Sequence, residues 1–332
     1  MNAPERILVT RLKSLGDVVF TLPAVNALRG NFPAARISFL VSAENAPLIE
    51  GFRGVDRTLV LDRREFRGGN PVAIVRATWS LLREFRRERF GLAVDLQGYG
   101  ETALLTWCTR APRRWGVVYQ PARAWAYTHP LRLRPGGVHP ADFYLSLLEK
   151  CGLGAGRISN EFVLPDPAQA EADRFLASEK VDRSRPLIFI QPFTSTPKKN
   201  WPLERYLVLA QEWSGRGLGV LFGGGPGDRE ALAPVRAAGF PVSAGVPLLV
   251  TAGLMNRCAL VVGGDTGMPH LAMALGKRVV MIMVSARPGT THPFHHADWA
   301  VVPPASRNIG DVSIDSVASE CRKAFQELGI AI

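Results

Sequence analysis

The sequence has few cysteines and no long apolar segment, and both absences exclude classes of protein. Its 332 residues include four cysteines, none of them in a C-x-x-C pair. This spacing argues against a zinc site or a disulfide framework, and it is typical of a reducing compartment. No run reaches the ~18 apolar residues of a membrane span, and the first residues do not resemble a signal peptide. We therefore expect a cytoplasmic protein.

Common nucleotide-binding and nucleic-acid-binding motifs are also missing. The glycine-rich residues 223–228 lack the Gly-Lys-Ser/Thr of a P-loop and do not match the G-x-G-x-x-G fingerprint. The chain shows no zinc finger, helix-turn-helix pattern or RNA-binding aromatic motif, so we do not expect nucleic acid as a partner. Its composition, 47% hydrophobic and 21% charged, is that of a globular protein.

Positive charge is abundant and unevenly distributed. The formal net charge is +11, of which residues 1–166 carry +8 and residues 167–332 carry +3. A basic first half predicts an anionic partner, such as a phosphorylated acceptor or an anionic membrane surface. The arginine usage of a GC-rich genome would give the same bias.

Short apolar runs alternate with helical segments in both halves, which predicts a parallel, doubly wound α/β sheet in each. The predicted strands are residues 6–10, 36–41, 57–61, 92–96, 114–118, 187–191, 219–222, 260–262 and 278–283. The helices predicted between them include residues 18–30 and 228–238. A proline-containing linker near residues 161–167 separates the halves. We predict two Rossmann-like domains, residues 1–165 and 166–332, that face a central cleft.

Four loops follow predicted strands at their carboxyl ends, where α/β proteins bind ligands. They are residues 13–17, 194–199, 223–228 and 263–267. Asp17 in the first loop opens a helix, so it is either a helix cap or a general base. Lys198 and Lys199 are either a solvated pair or, with the nearby hydroxyls, ligands of a diphosphate.

The last of these loops joins a strand to a helix at residues 268–275. Gly263 and Gly264 are expected to let the chain turn, with Thr266 as the N-cap. The free N–H groups of the helix start form an anion site, and Asp265 beside them favours a ligand that also has hydroxyls, such as a sugar nucleotide. An ordinary turn with a solvated Asp265 is the alternative.

Two other groups of polar residues are candidates for binding. Asp228 either binds a ribose hydroxyl or belongs to a loose turn. His292, His295 and His296 have a spacing that a metal site can use, but no acid lies close in the sequence. We therefore favour a polar rim over a metal site there.

Four segments carry a resemblance to a known family. They are RLKSLGDVVFTLPA (11–24), DLQG (95–98), KNWP (199–202) and GDTGMPHLA (264–272). In this order, over nearly the whole chain, they resemble the ADP-heptose:lipopolysaccharide heptosyltransferases, glycosyltransferase family 9. The resemblance implies a GT-B fold with an N-terminal acceptor domain, a C-terminal nucleotide-sugar domain and a last helix that packs on the first domain.

The resemblance also implies an activity. It is the inverting transfer of a heptose from ADP-heptose to the inner core of lipopolysaccharide, with no obligatory metal or other cofactor. The acceptor would be of the lipid A–Kdo type at the inner leaflet, which implies a cytoplasmic enzyme in peripheral contact with the membrane.

Site residues follow from the same resemblance. Asp17 matches the catalytic base. The residues that match the donor site are Thr194, Ser195, Lys199, Asp265, Thr266, Gly267 and His270 for the diphosphate and sugar, and Asp228 for the nucleoside. The candidates on the acceptor side are Lys13, Ser14, Gly16, Asp95 and Gln97, and Asp95 competes with Asp17 for the role of base.

Three other functions remain open from the sequence. One is a related glycosyltransferase with another nucleotide sugar or acceptor. Another is a nucleotide-sugar epimerase of the same fold, which needs acids on both sides of the sugar. The third is a non-catalytic nucleotide-sugar-binding protein, which turnover would separate from the rest.

Overall fold

A computed structural model gives the fold of the chain. It describes residues 3–62, 71–132, 137–154, 158–287, 289–304 and 308–331. The chain divides into two compact units, residues 1–161 and 162–332, close to the boundary expected at residue 165. The functional roles that we assign to the two domains stay a prediction.

The first unit contains a parallel sheet of six strands. These are β1 (Arg6–Thr10), β2 (Arg36–Ser42), β3 (Arg57–Leu61), β4 (Leu92–Asp95), β5 (Arg113–Val117) and β6 (His129–Leu131). Its helices are α1 (Leu15–Val19), α2 (Leu22–Asn31), α3 (Pro71–Glu88), α4 (Gly100–Cys108) and α5 (Pro140–Lys150), with 3-10 segments at Ala43–Gly51 and Pro121–Ala126. The spatial order of the strands is β3-β2-β1-β4-β5-β6.

The second unit repeats this arrangement. Its strands are β7 (Leu187–Gln191), β8 (Gly219–Gly224), β9 (Val242–Ala244), β10 (Leu260–Gly264), β11 (Arg278–Ile282) and β12 (Ala300–Val301). Its helices are α6 (Asp166–Ser178), α7 (Leu203–Gly215), α8 (Ala233–Ala237), α9 (Leu248–Arg257), α10 (Gly267–Ala274) and α11 (Ile314–Glu327). The order is β12-β11-β10-β7-β8-β9, again parallel throughout.

Both sheets have the strand order of the Rossmann fold, which confirms the predicted α/β class. In the first sheet, β2 and β3 lie on one side of β1, and the chain then crosses to the other side, where β4 pairs with β1. In the second sheet, β8 and β9 lie on one side of β7, and β10 pairs with β7 on the other. At such a switch point, the loops after the two adjacent strands leave opposite faces of the sheet, and a crevice opens at the carboxyl ends of the strands. The loops after β1, β4, β7 and β10 are therefore where the fold itself places a ligand.

The first helix of the sequence prediction, residues 18–30, is two helices in the structure. α1 ends at Val19 and α2 begins at Leu22, with the Thr21 hydroxyl donating to the Val18 carbonyl at 2.6 Å between them. Pro23 lies in the first turn of α2, where its missing N–H breaks no helical bond. α1 also begins three residues earlier than predicted, at Leu15, so Asp17 lies in its first turn.

The last helix packs within the second unit. α11 contacts β11, β12 and α7, and the Phe325 ring meets Trp213 edge-on at 5.9 Å. Trp201, at the entry to α7, is fully buried and donates its indole N–H to the Val312 carbonyl at 2.9 Å. Trp201 is therefore a core residue, and the expectation that α11 reaches the first domain stays a prediction. Within the described ranges, every helix is too short or too polar to span a bilayer.

Candidate active site

The loop after β1 holds Asp17 in a defined position. Its Oδ2 accepts from the Ser14 N–H and hydroxyl, both at 3.0 Å, and forms an ion pair with Arg11 Nη2 at 2.7 Å. Arg11 is buried, and it also donates to the Leu96 carbonyl at 2.9 Å. Among the described residues no donor reaches Oδ1 of Asp17, whose side chain is one-third exposed. One carboxylate oxygen is thus fixed by three contacts, and the other has no hydrogen bond among the described residues.

Arg11, the ion-pair partner of Asp17, was not among the residues predicted from the sequence. Its pKa is raised above the ordinary value of a guanidinium: burial alone lowers it, but the charge and hydrogen bond of Asp17 and the neighbouring tyrosines outweigh that penalty. The guanidinium stays charged and holds the opposite charge of Asp17 beside it. A basic residue at the end of an otherwise apolar strand was the available signal, since an isolated buried charge needs a partner.

The loop after β4 supports the loop after β1. Gln97 is completely buried, and its side-chain oxygen accepts from the N–H groups of Leu12 at 2.9 Å and Lys13 at 3.3 Å. Its amide nitrogen donates to Glu101 at 3.3 Å. Gln97, expected on the acceptor side, therefore lies where it fixes the backbone that leads to Asp17.

Asp95, the competing candidate for the base, is completely buried. Oδ1 accepts from the N–H groups of Gln97 at 2.8 Å and Gly98 at 3.0 Å, and Oδ2 accepts from the Tyr127 hydroxyl at 2.7 Å. Burial raises the pKa of Asp95, against the lowering effect of these hydrogen bonds. With both oxygens bonded inside the protein, the geometry favours a structural role.

We expect Asp95→Ala to lower the free energy of unfolding by about 2–4 kcal/mol, because two N–H groups and the Tyr127 hydroxyl lose their acceptor in a buried site. Asp95→Asn is the matched control. Its carbonyl oxygen still accepts from the N–H groups, and the hydroxyl can rotate to accept from the new amide. Urea denaturation of both variants measures the difference, and equal stability of Asp95→Ala and the wild type would refute the structural role.

The remaining candidates of the first unit lie on the same loop. Lys13 is half-buried, with Nζ 5.7 Å from the centre of the Tyr99 ring. Ser14 is exposed and caps α1, and Gly16 is half-buried with its carbonyl accepting from the Phe20 N–H at 2.9 Å. All three are close in the chain to Asp17, and their role in acceptor binding stays a prediction.

In the second unit, Asp265 is the centre of a polar cluster at the end of β10. Oδ2 pairs with Lys199 Nζ at 2.6 Å, and Oδ1 accepts from the Thr291 hydroxyl at 2.8 Å. His270 Nε2 lies 3.8 Å from Oδ1. The three partners come from the β7–α7 loop, the segment after β11 and α10, so the fold brings together residues up to 92 positions apart in the sequence.

The cluster keeps Asp265 ionised although its side chain is only 12% exposed. Burial alone raises the pKa of this carboxyl, but the nearby His270 imidazole, hydrogen bonds from Lys199 and Thr291 and the charge of Lys199 hold it well below the ordinary value of 3.8. The Lys199 side chain is 42% exposed, and an ammonium group has three donors of which Asp265 takes one. The remaining donors can bind an anionic ligand.

Glycines bring the two loops of this cluster together. Gly263 and Gly264 lie in β10, and a Cβ there would come within 2.7 Å of the Gln191 carbonyl oxygen and 2.8 Å of Thr194 Cγ2, respectively. The expectation that they provide a sharp turn was therefore wrong. Because they lack side chains, the end of β7 and the loop that follows it can approach β10 closely.

The β7–α7 loop is ordered by its own hydrogen bonds. The Thr194 N–H and hydroxyl lie 2.8 and 2.9 Å from the Asn200 side-chain oxygen, and the hydroxyl oxygen accepts from the Thr196 N–H at 3.1 Å. Ser195 and Lys198 are exposed. Thr194 is thus partly occupied in holding the loop, whereas Ser195 presents its side chain to solvent.

The start of α10 lies beside Asp265. Thr266 is the N-cap as expected, with extended backbone, but its hydroxyl makes no capping hydrogen bond. Thr266 and Gly267 are half-buried, and the first N–H groups of α10 have no partner within the helix. A helix start of this kind favours an anion.

Asp228 lies in the turn after β8, apart from this cluster in the chain. Its Oδ2 accepts from the Gly225 N–H at 2.7 Å, and a Cβ on Gly224 would come within 3.1 Å of Asp228 Cβ. The turn is closed by its own acid, and the helix that we expected to begin at residue 228 begins at Ala233. The nucleoside-binding role of Asp228 stays a prediction.

The three clustered histidines have separate surroundings. His296 stacks on Trp299 with ring centres 3.7 Å apart, His295 lies against Phe294, and His292 Nδ1 is 3.0 Å from the Pro293 carbonyl oxygen. In the part of the chain that the structure describes, no three His, Cys, Asp or Glu side chains are grouped to hold a metal ion. The segment instead contributes Thr291 to the Asp265 cluster.

Comparison with known proteins agrees with this arrangement. The family profile of Glycosyltransferase family 9 (heptosyltransferase) matches residues 78–318. The lipopolysaccharide core heptosyltransferase OpsX of Haemophilus influenzae is 21% identical over 90% of this chain and 85% of its own length.

Two solved structures share the fold. A glycosyl transferase family 9 protein from Veillonella parvula superposes with a TM-score of 0.86, at 23% identity and 97% coverage of both chains. The ADP-heptose lps heptosyltransferase II of Escherichia coli does so with a TM-score of 0.78, at 20% identity, covering 97% of this chain and 99% of its own. The fold is therefore GT-B, and the chain belongs to glycosyltransferase family 9.

Proposed function

We propose that this glycosyltransferase transfers a heptose from ADP-heptose to the inner core of lipopolysaccharide, with inversion at the anomeric carbon and with Asp17 as the general base. The observation that carries the proposal is the Asp265 cluster. It combines an ionised carboxylate, a half-exposed lysine and a helix start at the switch point of the second sheet. Relatives named for lipopolysaccharide core and for ADP-heptose support the choice of donor and acceptor.

The cluster suits a sugar diphosphate better than phosphate alone. Asp265 would accept hydrogen bonds from sugar hydroxyls, while Lys199 and the first N–H groups of α10 would bind the diphosphate. The leaving ADP carries the negative charge that develops as the glycosidic bond breaks, and cations and helix N–H groups stabilise such charge most in the transition state. No metal ion is then required for this step, and we expect turnover to be insensitive to EDTA.

Asp17 would take the proton of the acceptor hydroxyl. As the hydroxyl oxygen bonds to the anomeric carbon and the bond to ADP breaks, the hydroxyl becomes strongly acidic, so a carboxylate suffices as base. Oδ1, which has no hydrogen bond among the described residues, would be the oxygen that takes this proton. Lys13 and Ser14 on the same loop are the expected contacts of an anionic acceptor. We place the reaction at the cytoplasmic side of the inner membrane, where a lipid A–Kdo acceptor is anchored.

A donor panel tests the function. ADP-heptose, other ADP-sugars and UDP-sugars are each incubated with a deacylated inner-core acceptor, and acceptor-dependent release of nucleoside diphosphate is measured. We expect the highest kcat/KM with ADP-heptose. A higher kcat/KM with another sugar nucleotide would support a related glycosyltransferase, and tight binding of ADP-sugars without release from any donor would support a non-catalytic binding protein.

A further inference from the structure

We propose that the outer face of α3, together with two tryptophans beside it, docks on an anionic lipid surface. The surface is where the acceptor of the proposed function would be anchored, so the inference extends that function. The residues of the α3 outer face are Val72, Val75, Arg76, Trp79, Arg83, Arg86 and Arg87. All are exposed, and their spacing of three, four and seven residues places them on one side of the helix.

The first turns of this face are mostly apolar, with Arg76 as their one charged residue. Val72 is 73% exposed, Val75 67% and Trp79 59%. Single exposed apolar side chains are common, but three in one line form a contiguous patch, and such patches mark interaction sites. The opposite side of α3 packs on the sheet through Leu81 and Phe85, which are buried. The core is therefore already covered by that side, and the apolar outer turns face solvent.

The last two turns of the α3 outer face are cationic. Arg83 lies over the Trp79 ring, 5.3 Å from its centre, and Arg86 and Arg87 follow one turn later. The two acids of the helix, Glu84 and Glu88, point to the other side, where both pair with Arg57. They cannot neutralise the outward arginines. The face therefore presents positive charge beside apolar side chains.

A second aromatic group continues this surface. Trp107 on α4 and Trp125 pack edge-on at 5.6 Å, and they are 50% and 57% exposed. A cavity of about 400 Å³ lies between α3 and Trp107. It is lined by Leu82, Arg86, Trp107, Cys108, Arg110 and Arg114. Three of the six lining residues are arginines and none is acidic, so the cavity suits a negatively charged headgroup.

These features together match the interface of an anionic bilayer. A helix with arginine on one part of its outer face and tryptophan and valine on another lies in the headgroup region, where the apolar side chains enter the lipid and the cations meet phosphate. A second copy of the chain fits less well, because a two-fold contact would bring the same arginines against each other.

Vesicle flotation tests the inference. The protein is mixed with phosphatidylethanolamine vesicles with or without phosphatidylglycerol, none of which contains an acceptor. We expect binding to the anionic vesicles that weakens as salt rises, because surface charge is screened. The double variant Val75→Ser, Arg83→Gln should bind about tenfold or more weakly, since each arginine near an anionic surface contributes about fivefold and the valine adds to it.

The second unit offers a matched control for this variant. Val208 on α7 is 47% exposed and Arg216 follows the last residue of α7, so Val208→Ser, Arg216→Gln makes the same chemical changes outside the α3 outer face. We expect this control to bind vesicles like the wild type. Equal losses in both variants, or no binding to anionic vesicles at low salt, would overturn the inference.

Two further measurements distinguish lipid docking from self-association and from damage to the active site. Sedimentation without lipid reports self-association, and a dimer that Val75→Ser, Arg83→Gln dissociates would show that the face contacts a second copy instead of a bilayer. Turnover on a soluble deacylated acceptor should be unchanged in the variant. Vesicle binding can therefore fail while transfer is intact, and transfer can fail while vesicle binding is intact.

Discussion

Asp17→Asn is expected to lower kcat by about 10²–10⁴-fold, the usual loss when a general base is removed. The amide keeps the size of the carboxylate, and its oxygen can still accept from Arg11 and Ser14, so the loop after β1 should keep its shape. What is lost is a group that can take a proton. The donor residues belong to the other unit, and we therefore expect the Kd of ADP to stay within a few-fold of the wild-type value.

A structural effect of the same change would look different. Loss of a helix cap costs about 1 kcal/mol in stability and leaves most of the activity. Steady-state kinetics, calorimetry with ADP and thermal unfolding of the same preparation separate the two. Near wild-type kcat in Asp17→Asn would refute the base.

Asp95→Asn is the kinetic control for Asp17→Asn. Both changes remove one carboxylate that follows a central strand of the first sheet, but only Asp17 has an oxygen without a hydrogen bond among the described residues. We expect Asp95→Asn to keep most of the wild-type kcat. If Asp95→Asn loses activity and Asp17→Asn does not, Asp95 is the base.

Hydrophobic patterning predicts the central strands of both sheets well. The nine predicted strands are all present, and the central strands β1, β4, β7 and β10 were detectable because they are buried along nearly their whole length and read as largely apolar runs. The three strands that were missed are β6, β9 and β12. Each has only two or three residues at or near a sheet edge, and β6 contains a proline, so no periodic pattern exists to detect.

The helices near the loops were harder to predict. The break between α1 and α2 depends on a local hydrogen bond of Thr21, and the short α8 follows a turn that Asp228 closes. Neither feature changes the spacing of apolar residues along the sequence, from which the helices were predicted. Boundaries set by such polar contacts are therefore visible only in the structure.

The candidate site was predictable in its parts but not in its pairings. Loops after strands and helix starts indicated Asp17, Lys199 and Asp265, since the fold rule places ligands there. The partners of these residues are distant in the chain. Thr291 reaches Asp265 from 26 residues away and Lys199 from 66. Spacing in a single sequence carries no information about such contacts, and the same is true of the Asp95–Tyr127 bond.

Lys199→Ala is expected to weaken ADP binding by about 1.5–3 kcal/mol, or roughly 10–150-fold in Kd. An ion pair between an ammonium and a phosphate is a charge-assisted contact, and the site at the end of β10 is partly shielded from water. Isothermal titration calorimetry with ADP measures the change. Lys198→Ala is the matched control, because this neighbouring lysine is exposed and screened, and we expect its Kd to change by about twofold or less.

A double variant separates two ways in which Lys199 could act. If Lys199 only neutralised Asp265, then removing the lysine would leave a buried carboxylate that repels the diphosphate, and Lys199→Ala, Asp265→Asn would restore ADP binding. If Lys199 binds the diphosphate directly, the second change relieves the repulsion but supplies no cation, so ADP binding stays weak in the double variant. We expect the second outcome, because Asp265 has Thr291 and His270 as further partners and Lys199 has donors left for a ligand. Full recovery of the wild-type Kd in the double variant would assign Lys199 to the support of Asp265 alone.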